Sequence, residues 1–576
     1  MSSLFSPFDP AREIGTITKV SANFARINLP YAAESSARNH SGCRFGAGEV
    51  GEFVFIEQEE KAIFGRIVEV HLPEGERLTV EAELGKKIIS NPIGSVQMLA
   101  TLDMSTNRVQ PGILAHPRIG QHVYSAHPSL LKYMVESRSD ESQCTIKLAT
   151  FPSAQDVALD LKPEILFGRH CGVLGATGGG KSWTIAKIVE EIRRIGGKAI
   201  LLDATGEFYK QKDGVRSVDL GSYNPCDEEY QGAEVVSFPY YELEERDLFA
   251  IFQPSGGAQA PKMREAIKSL KLVKLQEGLA SDGQLFKANQ KKQPILDAVR
   301  EHSSQLSSTL ADFDISVLSQ QIQNECVWPN GGSAKTPDSS KWGGTHDGEV
   351  GYCISLIARI EATLGSGHLD CIFKPGETTP LSGVIEEFLA DSGNQILRIS
   401  LEAMPFDMHA RELVTNAIGR YLLKLARAGK FRTMPLVTVL DEAHQFLNKQ
   451  VGDDNNRVQL DAFGLIAKEG RKYGLTTVLA TQRPRDIPED VLSQIGTLIV
   501  HRLVNDKDRV VVERACGDLD ATAASFLPSL GQGEALVVGT ELAMPMTIKV
   551  REPQYTPESH GAQYGTYWSV KGCEGV

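Results

Sequence analysis

Short apolar runs that end on a glycine, an acid or an amide recur along the chain. Residues 171–174, 199–202, 396–401, 435–440 and 476–480 are rich in Val, Ile and Leu on consecutive positions. Such runs predict strands covered on both faces, as in a parallel sheet flanked by helices. Residues 183–189 and 408–428 carry apolar positions at helical spacing, the first directly behind the run at 171–174. A last short strand is expected at 547–550. Residues 14–28, 50–56 and 62–70 behave differently: they alternate and break at turn residues. Short alternating strands with glycine punctuation predict a small β-barrel.

From 241 to 390 the periodicity is helical, as in 262–271, and no buried strand stands out. This predicts a helical insertion, with a flexible polar, glycine-rich loop at 333–347. The expected organisation is α/β: a barrel domain at 1–150, a first part of an α/β core at 151–240, the insertion at 241–390, a second part of the core at 391–550, and a tail at 551–576.

The strand ends carry the candidate chemistry. Behind the run at 171–174 stand Gly175, Ala176, Thr177, Gly178, Gly179, Gly180, Lys181 and Ser182, which fit G-x-x-x-x-G-K-[ST] at every defined position; Trp183 opens the helix. Glycines let backbone N–H groups wrap a phosphate at a helix N-terminus. Lys181 would reach the β- and γ-phosphates of ATP, and the Ser182 hydroxyl would sit on Mg²⁺. A chance glycine-rich turn would lack the strand, the Lys-Ser pair and the helix in that order. The run at 435–440 ends in Asp441, Glu442, Ala443 and His444. Asp441 would hold Mg²⁺, directly or through water, and Glu442 would polarise the attacking water. Gln482, after 476–480, would orient that water or sense the γ-phosphate, or serve only as a turn residue before Pro484. Asp203 and Glu207 follow 199–202 and belong to the same sheet edge.

Taken in order, these segments resemble the HerA–FtsK superfamily of P-loop DNA-translocating ATPases, and its HerA branch most closely. Arg169-His170, Asp203 to Glu207, Asp441 to His444, Glu469 to Gly474, Thr481 to Pro484 and Leu530 to Ala535 carry the likeness, which runs from about residue 10 to 550 and is weak between 245 and 385. The resemblance implies a RecA-like P-loop ATPase core and an N-terminal barrel that helps assemble a ring and contacts partners; an oligonucleotide-binding barrel is the competing reading. It also implies a homohexamer acting as a translocase or helicase on double-stranded DNA with an effector protein from a neighbouring gene. The effector would be a nuclease, or a sirtuin-like NADase in antiphage defence, where the ring would serve as an ATPase scaffold. A two-core DEAH helicase, suggested by Asp441 to His444, would need a second core that the chain lacks.

One phosphate loop implies a second catalytic face from a neighbouring subunit, bearing an arginine finger. Arg471 is the candidate, with Lys472 and Arg502 as competitors and a salt-bridged surface arginine as the equal alternative. Composition is compatible with this class. With net charge −13, the protein is not coated with DNA-binding surface, but a channel needs only a local basic patch. Two patches are candidates: the loop 448–452, and Arg264, Lys268 and Lys271 at i, i+4 and i+7, followed by Lys287, Lys291 and Lys292. For the helix, a solvated face is the favoured reading over a contact with DNA or a partner. Nine cysteines without C-x-x-C spacing and no signal-peptide pattern suggest reduced thiols and a cytoplasmic location, and no run of about eighteen apolar residues suggests a membrane span.

Overall fold

The computed structural model describes residues 6–32, 38–40, 43–73, 91–136, 144–152, 154–221, 233–333, 335–447, 449–454, 456–515, 521–542 and 544–558. Asn448 of the loop 448–452 and most of the expected tail lie outside them. Two compact units form: Met1–Gly197 with Thr476–Thr556, and Lys198–Leu475 with Pro557–Val576.

In the first unit, six antiparallel strands close on themselves in the order Phe24–Asn28, Glu13–Val20, His122–Ser125, Phe53–Gln58, Lys61–His71, Ile93–Asp103 and back to Phe24–Asn28. Closure leaves no open edge, and alternate side chains fill the interior. Ile14, Ile17, Ala25, Ile27, Val54, Ile56, Ile63, Ile67, Val96 and Val123 form that core. Gly65 is required where two strands approach closely: a Cβ there would lie 2.6 Å from Val96 Cγ1 and 2.8 Å from Gln97 O.

The same unit carries seven strands in the order Ala154–Leu161, Ile146–Phe151, Met546–Val550, Glu534–Gly539, Ile495–His501, His170–Leu174, Leu475–Thr481. His170–Leu174 is parallel to both neighbours and every one of its residues is buried, as the apolar Cys171, Val173 and Leu174 suit, while the His170 ring meets Thr477 Oγ1 at 2.9 Å. The helix Lys181–Arg194 follows it and buries Ile185, Ile188, Val189 and Ile192.

The second unit holds five strands, Leu436–Leu440, Lys198–Asp203, Ile396–Ser400, Val215–Leu220 and Glu234–Val236, all parallel. Between Glu234–Val236 and Ile396–Ser400 the chain is mainly helical, with Glu245–Phe252, Gln259–Leu275, Lys292–Glu301, Leu318–Asn324, Asp347–Leu364 and Leu381–Ala390 as its longer helices. Within the stretch expected as a flexible loop, Thr336–Asp338 pairs antiparallel with Gly331–Ser333 as a hairpin. Among the described residues, no helix is long and apolar enough to cross a membrane.

Candidate functional site

The phosphate-loop residues sit at the end of a buried parallel strand in the first unit. Leu174 is in register with Thr481 and Val500 of the two neighbouring strands. Gly175 N donates to Thr481 O (3.3 Å) and Ala176 N to Arg502 O (3.0 Å), so the loop hangs from both strand ends. A Cβ on Gly175 would fall 2.6 Å from His501 Cβ, which leaves room only for glycine. Gly178 and Gly180 have φ of +74° and +113°, and Gly180 caps the helix Lys181–Arg194. First-turn N–H groups there have no intrahelical acceptor, and the helix dipole adds positive potential. Lys181 is buried, and its Nζ donates to Ala176 O at 3.3 Å. That contact folds the lysine over its own loop, where an anion would meet ammonium and backbone N–H groups together. Ser182 is half-buried, and the Trp183 indole is 37% exposed.

His501, at the end of Ile495–His501, is fully buried beneath this loop. Its Nδ1 lies 2.9 Å from Glu534 O and its Nε2 2.8 Å from Thr184 Oγ1. A carbonyl only accepts, so Nδ1 carries the proton and Nε2 accepts from the threonine hydroxyl. Burial, and then the Lys181 charge, push the imidazole pKa down to about 4. The fold therefore holds the neutral ring. Its contribution to stability is complete above the ordinary value of 6.5 and is lost as pH falls from there through about 4. The shift corresponds to about 3 kcal/mol. Urea unfolding of His501→Gln should consequently show a shallower loss of stability than the native chain between these pH values. Parallel curves would refute the effect.

Gln482 is half-buried just past Leu475–Thr481, and its Oε1 accepts from Thr177 Oγ1 at 2.6 Å. This bond ties the phosphate loop to the amide proposed as its sensor. Arg502 is exposed beside the same loop, to which its carbonyl is bonded.

In the second unit, Asp441 and Asp203 stand at the ends of adjacent parallel strands. Leu202 is in register with Leu440, and Asp441 N donates to Leu202 O at 3.2 Å. Asp203 is fully engaged: it accepts from Gly206 N (2.8 Å), Phe208 N (3.1 Å) and Arg398 Nε (2.8 Å). Asp441 is 5% exposed, with Thr205 Oγ1 at 3.4 Å from its Oδ2. Burial first, then the charges of Asp203, Glu442 and Glu207, raise its pKa well above the carboxylate range. A divalent cation would relieve that repulsion. Among the described residues no three His, Cys, Asp or Glu side chains group as a metal cage.

Glu442 adopts left-handed geometry (φ 46°, ψ 44°). For a residue other than glycine this is strained, and such strain gathers at functional sites. Its Oε2 is 3.2 Å from His444 Nδ1, yet that buried oxygen has no hydrogen-bond donor among the described residues. A water molecule would complete it.

Arg471 and Lys472 are exposed on the short 3-10 turn Gly470–Tyr473, and neither makes an ion pair among the described residues. The basic helix face differs from expectation. Arg264 and Lys268 are exposed, but Lys271 is 5% exposed, bonded to Glu245 Oε1 (2.5 Å) and Ser308 O (2.7 Å). Lys287 is bound to the buried Glu325. These two lysines hold the helical segment together and are not open to a nucleic acid. In the candidate loop, Gln450–Val451 pairs with Val458–Gln459, and Lys449 lies 3.5 Å from Glu412.

Two residues escaped the sequence reading. Arg398 interrupts an apolar strand, and His501 ends one. A lone polar residue in or at the end of such a run was the available signal in both cases.

Residues 146–324 match the family model described as the central domain of helicase HerA, and 420–559 that of the helicase HerA-like C-terminal region. The DNA double-strand break repair helicase HerA of Pyrococcus furiosus is 23% identical over 445 residues, 75% of this chain and 73% of that one. Its counterpart in Sulfolobus acidocaldarius is 21% identical over 521 residues, 87% and 88% of the two chains. Among solved structures, the bacterial conjugative coupling protein TrwBdeltaN70 aligns over 75% of this chain and 93% of its own, with 14% identity and a TM-score of 0.42. The two family models span the phosphate loop and the strand-end acids respectively, and the chain belongs to the HerA-like ATPases of the HerA–FtsK superfamily, with a RecA-like P-loop core, an N-terminal β-barrel and a helical insertion.

Proposed function

We propose that this ATPase is a homohexameric motor that moves double-stranded DNA at the expense of ATP, together with an effector protein. The observation that carries the reading is the phosphate loop, hung from two strand ends, with Lys181 folded over it. The names of the archaeal relatives support DNA as the substrate. In this reading Gly175 to Lys181 cradle the phosphates, and the Trp183 ring borders the nucleotide. The Ser182 hydroxyl and the Asp441 carboxylate are the proposed Mg²⁺ ligands, and the cation would neutralise charge on the transferred phosphoryl group. Glu442 takes the proton of the attacking water, and Gln482 holds that water or reports the γ-phosphate to Thr177.

Arg471 serves as the finger in the neighbouring subunit's site. Its exposed side chain, without an ion pair among the described residues, supports this choice over Arg502, which stands beside its own loop. Arg471→Ala should bind ATP but lose hydrolysis by about a thousandfold or more. Mixing it with Lys181→Ala subunits should restore part of the rate, because one intact site forms between the two variants. No rescue in subunits shown to co-assemble would move the role to Lys472 or to a cis residue.

ATP turnover measured with and without linear duplex DNA, by a ring whose mass is read from light scattering, tests the whole proposal. Stimulation that falls steeply with salt is expected, since phosphate contacts release counterions. A hydrolysing monomer would remove the ring. A rate unmoved by DNA but changed by a neighbouring gene product, a nuclease or a sirtuin-like NADase, would replace the motor with an ATPase scaffold for antiphage defence.

A further inference from the structure

Arg66, on the barrel strand Lys61–His71, is 7% exposed. Among the described residues its guanidinium has no ion pair and no hydrogen-bond acceptor, and its Nε is buried without a partner. Burial alone lowers its pKa, to about 10, with no carboxylate acting against it. The face of the guanidinium is covered: its Cζ lies 3.8 Å from the centroid of the Phe526 ring and 5.6 Å from that of Phe53. Ring faces offset part of the loss of water but accept no N–H in the plane of the fork. A buried charge without a counter-ion is costly to keep.

The fork lines a cavity of about 280 Å³, with Glu49, Glu52, Phe53, Ser125 and Thr547 among its other walls. Glu52 does not serve Arg66. Its Oε2 accepts from Gly48 N (2.8 Å) and Glu49 N (3.1 Å), and its Oε1 from the Ser125 hydroxyl. The cavity thus offers one unspent planar fork, an aromatic wall and carboxylates already in place. Glu49 and Glu52 repel any anion there, and a dianion such as phosphate about twice as strongly as a single carboxylate. A single planar carboxylate matches the fork in charge and shape.

We infer that this cavity is a binding site for one carboxylate group, which pairs with Arg66. The group comes either from a small carboxylic acid or from an acidic side chain of a second copy of this chain. The site is separate from the phosphate loop and the strand-end acids, and nothing in the proposed reaction uses it.

Thermal unfolding and light scattering of the full chain, in sodium acetate against sodium chloride and sodium phosphate at equal ionic strength, test the inference. If the source is a small acid, acetate raises the unfolding midpoint of the native protein by about 2 °C or more, with its mass unchanged. If the source is a second copy, acetate lowers the mass instead, and Arg66→Met has that lower mass without acetate. In both cases Arg66→Met loses the acetate response. It should also unfold no earlier in chloride than the native protein does in the same unliganded, dissociated state, because the unpaired buried charge is gone. Should Arg66→Met fail to fold, Arg66→Lys, which keeps the charge but not the fork, must respond to acetate less than the native chain. Equal responses to acetate, chloride and phosphate, with no change of mass in any of them, would overturn the site.

Discussion

Glu442→Gln is expected to bind ATP as the native enzyme does and to hydrolyse it about 100- to 10,000-fold more slowly, the usual weight of a positioned general base. The amide keeps the shape of the side chain and its left-handed backbone at φ 46°. It loses the proton-accepting power of an oxygen that is buried with no donor among the described residues. Binding should be untouched because, in the proposed site, other groups would hold the phosphates: the glycine loop, Lys181 and the helix N-terminus. Lys181→Ala should therefore fail at the earlier step. Its ammonium, now on Ala176 O, is the cation that would leave for the nucleotide. Nucleotide binding by calorimetry and phosphate release, measured side by side, separate the two variants. Native turnover in Glu442→Gln would take that residue out of the reaction.

Arg398→Met should destabilise the protein by about 3–5 kcal/mol, read as a fall in the urea midpoint. Arg398 is 1% exposed and Asp203 is fully buried, 2.8 Å apart. Removing the cation leaves a buried carboxylate held by two backbone donors among the described residues, Gly206 N and Phe208 N. The uncompensated charge also stands beside Asp441, whose own carboxylate is already strained by its neighbours. Asp203→Asn added to Arg398→Met removes both charges of the closer pair and should regain part of the loss, while Asp219, 3.9 Å from Arg398 Nη1, still loses its cation. A single variant within about 1 kcal/mol of the native protein would show that the pair carries little.

How much of this was legible in the sequence depends on the range of the cause. The strands at 171–174, 199–202 and 435–440 announce themselves because burial on both faces demands consecutive apolar residues, and that demand is local. The phosphate loop is local as well: strand, glycines, Lys181 and helix are one uninterrupted stretch. Arg398 and Asp203 are 195 positions apart, and His501 and Thr184 are 317 apart. No spacing rule connects such pairs; only the order of strands in a sheet does. The basic helix shows the opposite error. Spacing put Arg264, Lys268 and Lys271 on one face, but a lysine stem is apolar enough to be buried, and Lys271 delivers its charge inward to Glu245. Charge pattern alone does not tell a solvated face from an ion pair that fastens two helices.

The strand that bears the phosphate loop has a late birth. His170–Leu174 acquires its parallel partners only from Leu475–Thr481 and Ile495–His501. A ribosome adding about 5–20 residues per second would need about 15–60 s to make the roughly 300 residues between them. Through that interval the nascent strand has both edges open, and open apolar edges recruit whatever strand is near. Folding of the nucleotide site is thus a race between synthesis and misassembly, and holding chaperones or slow translation shift its outcome. Substitutions that weaken Leu475–Thr481 would be felt first in the yield of soluble chain, before any change in the rate of a molecule that had already closed.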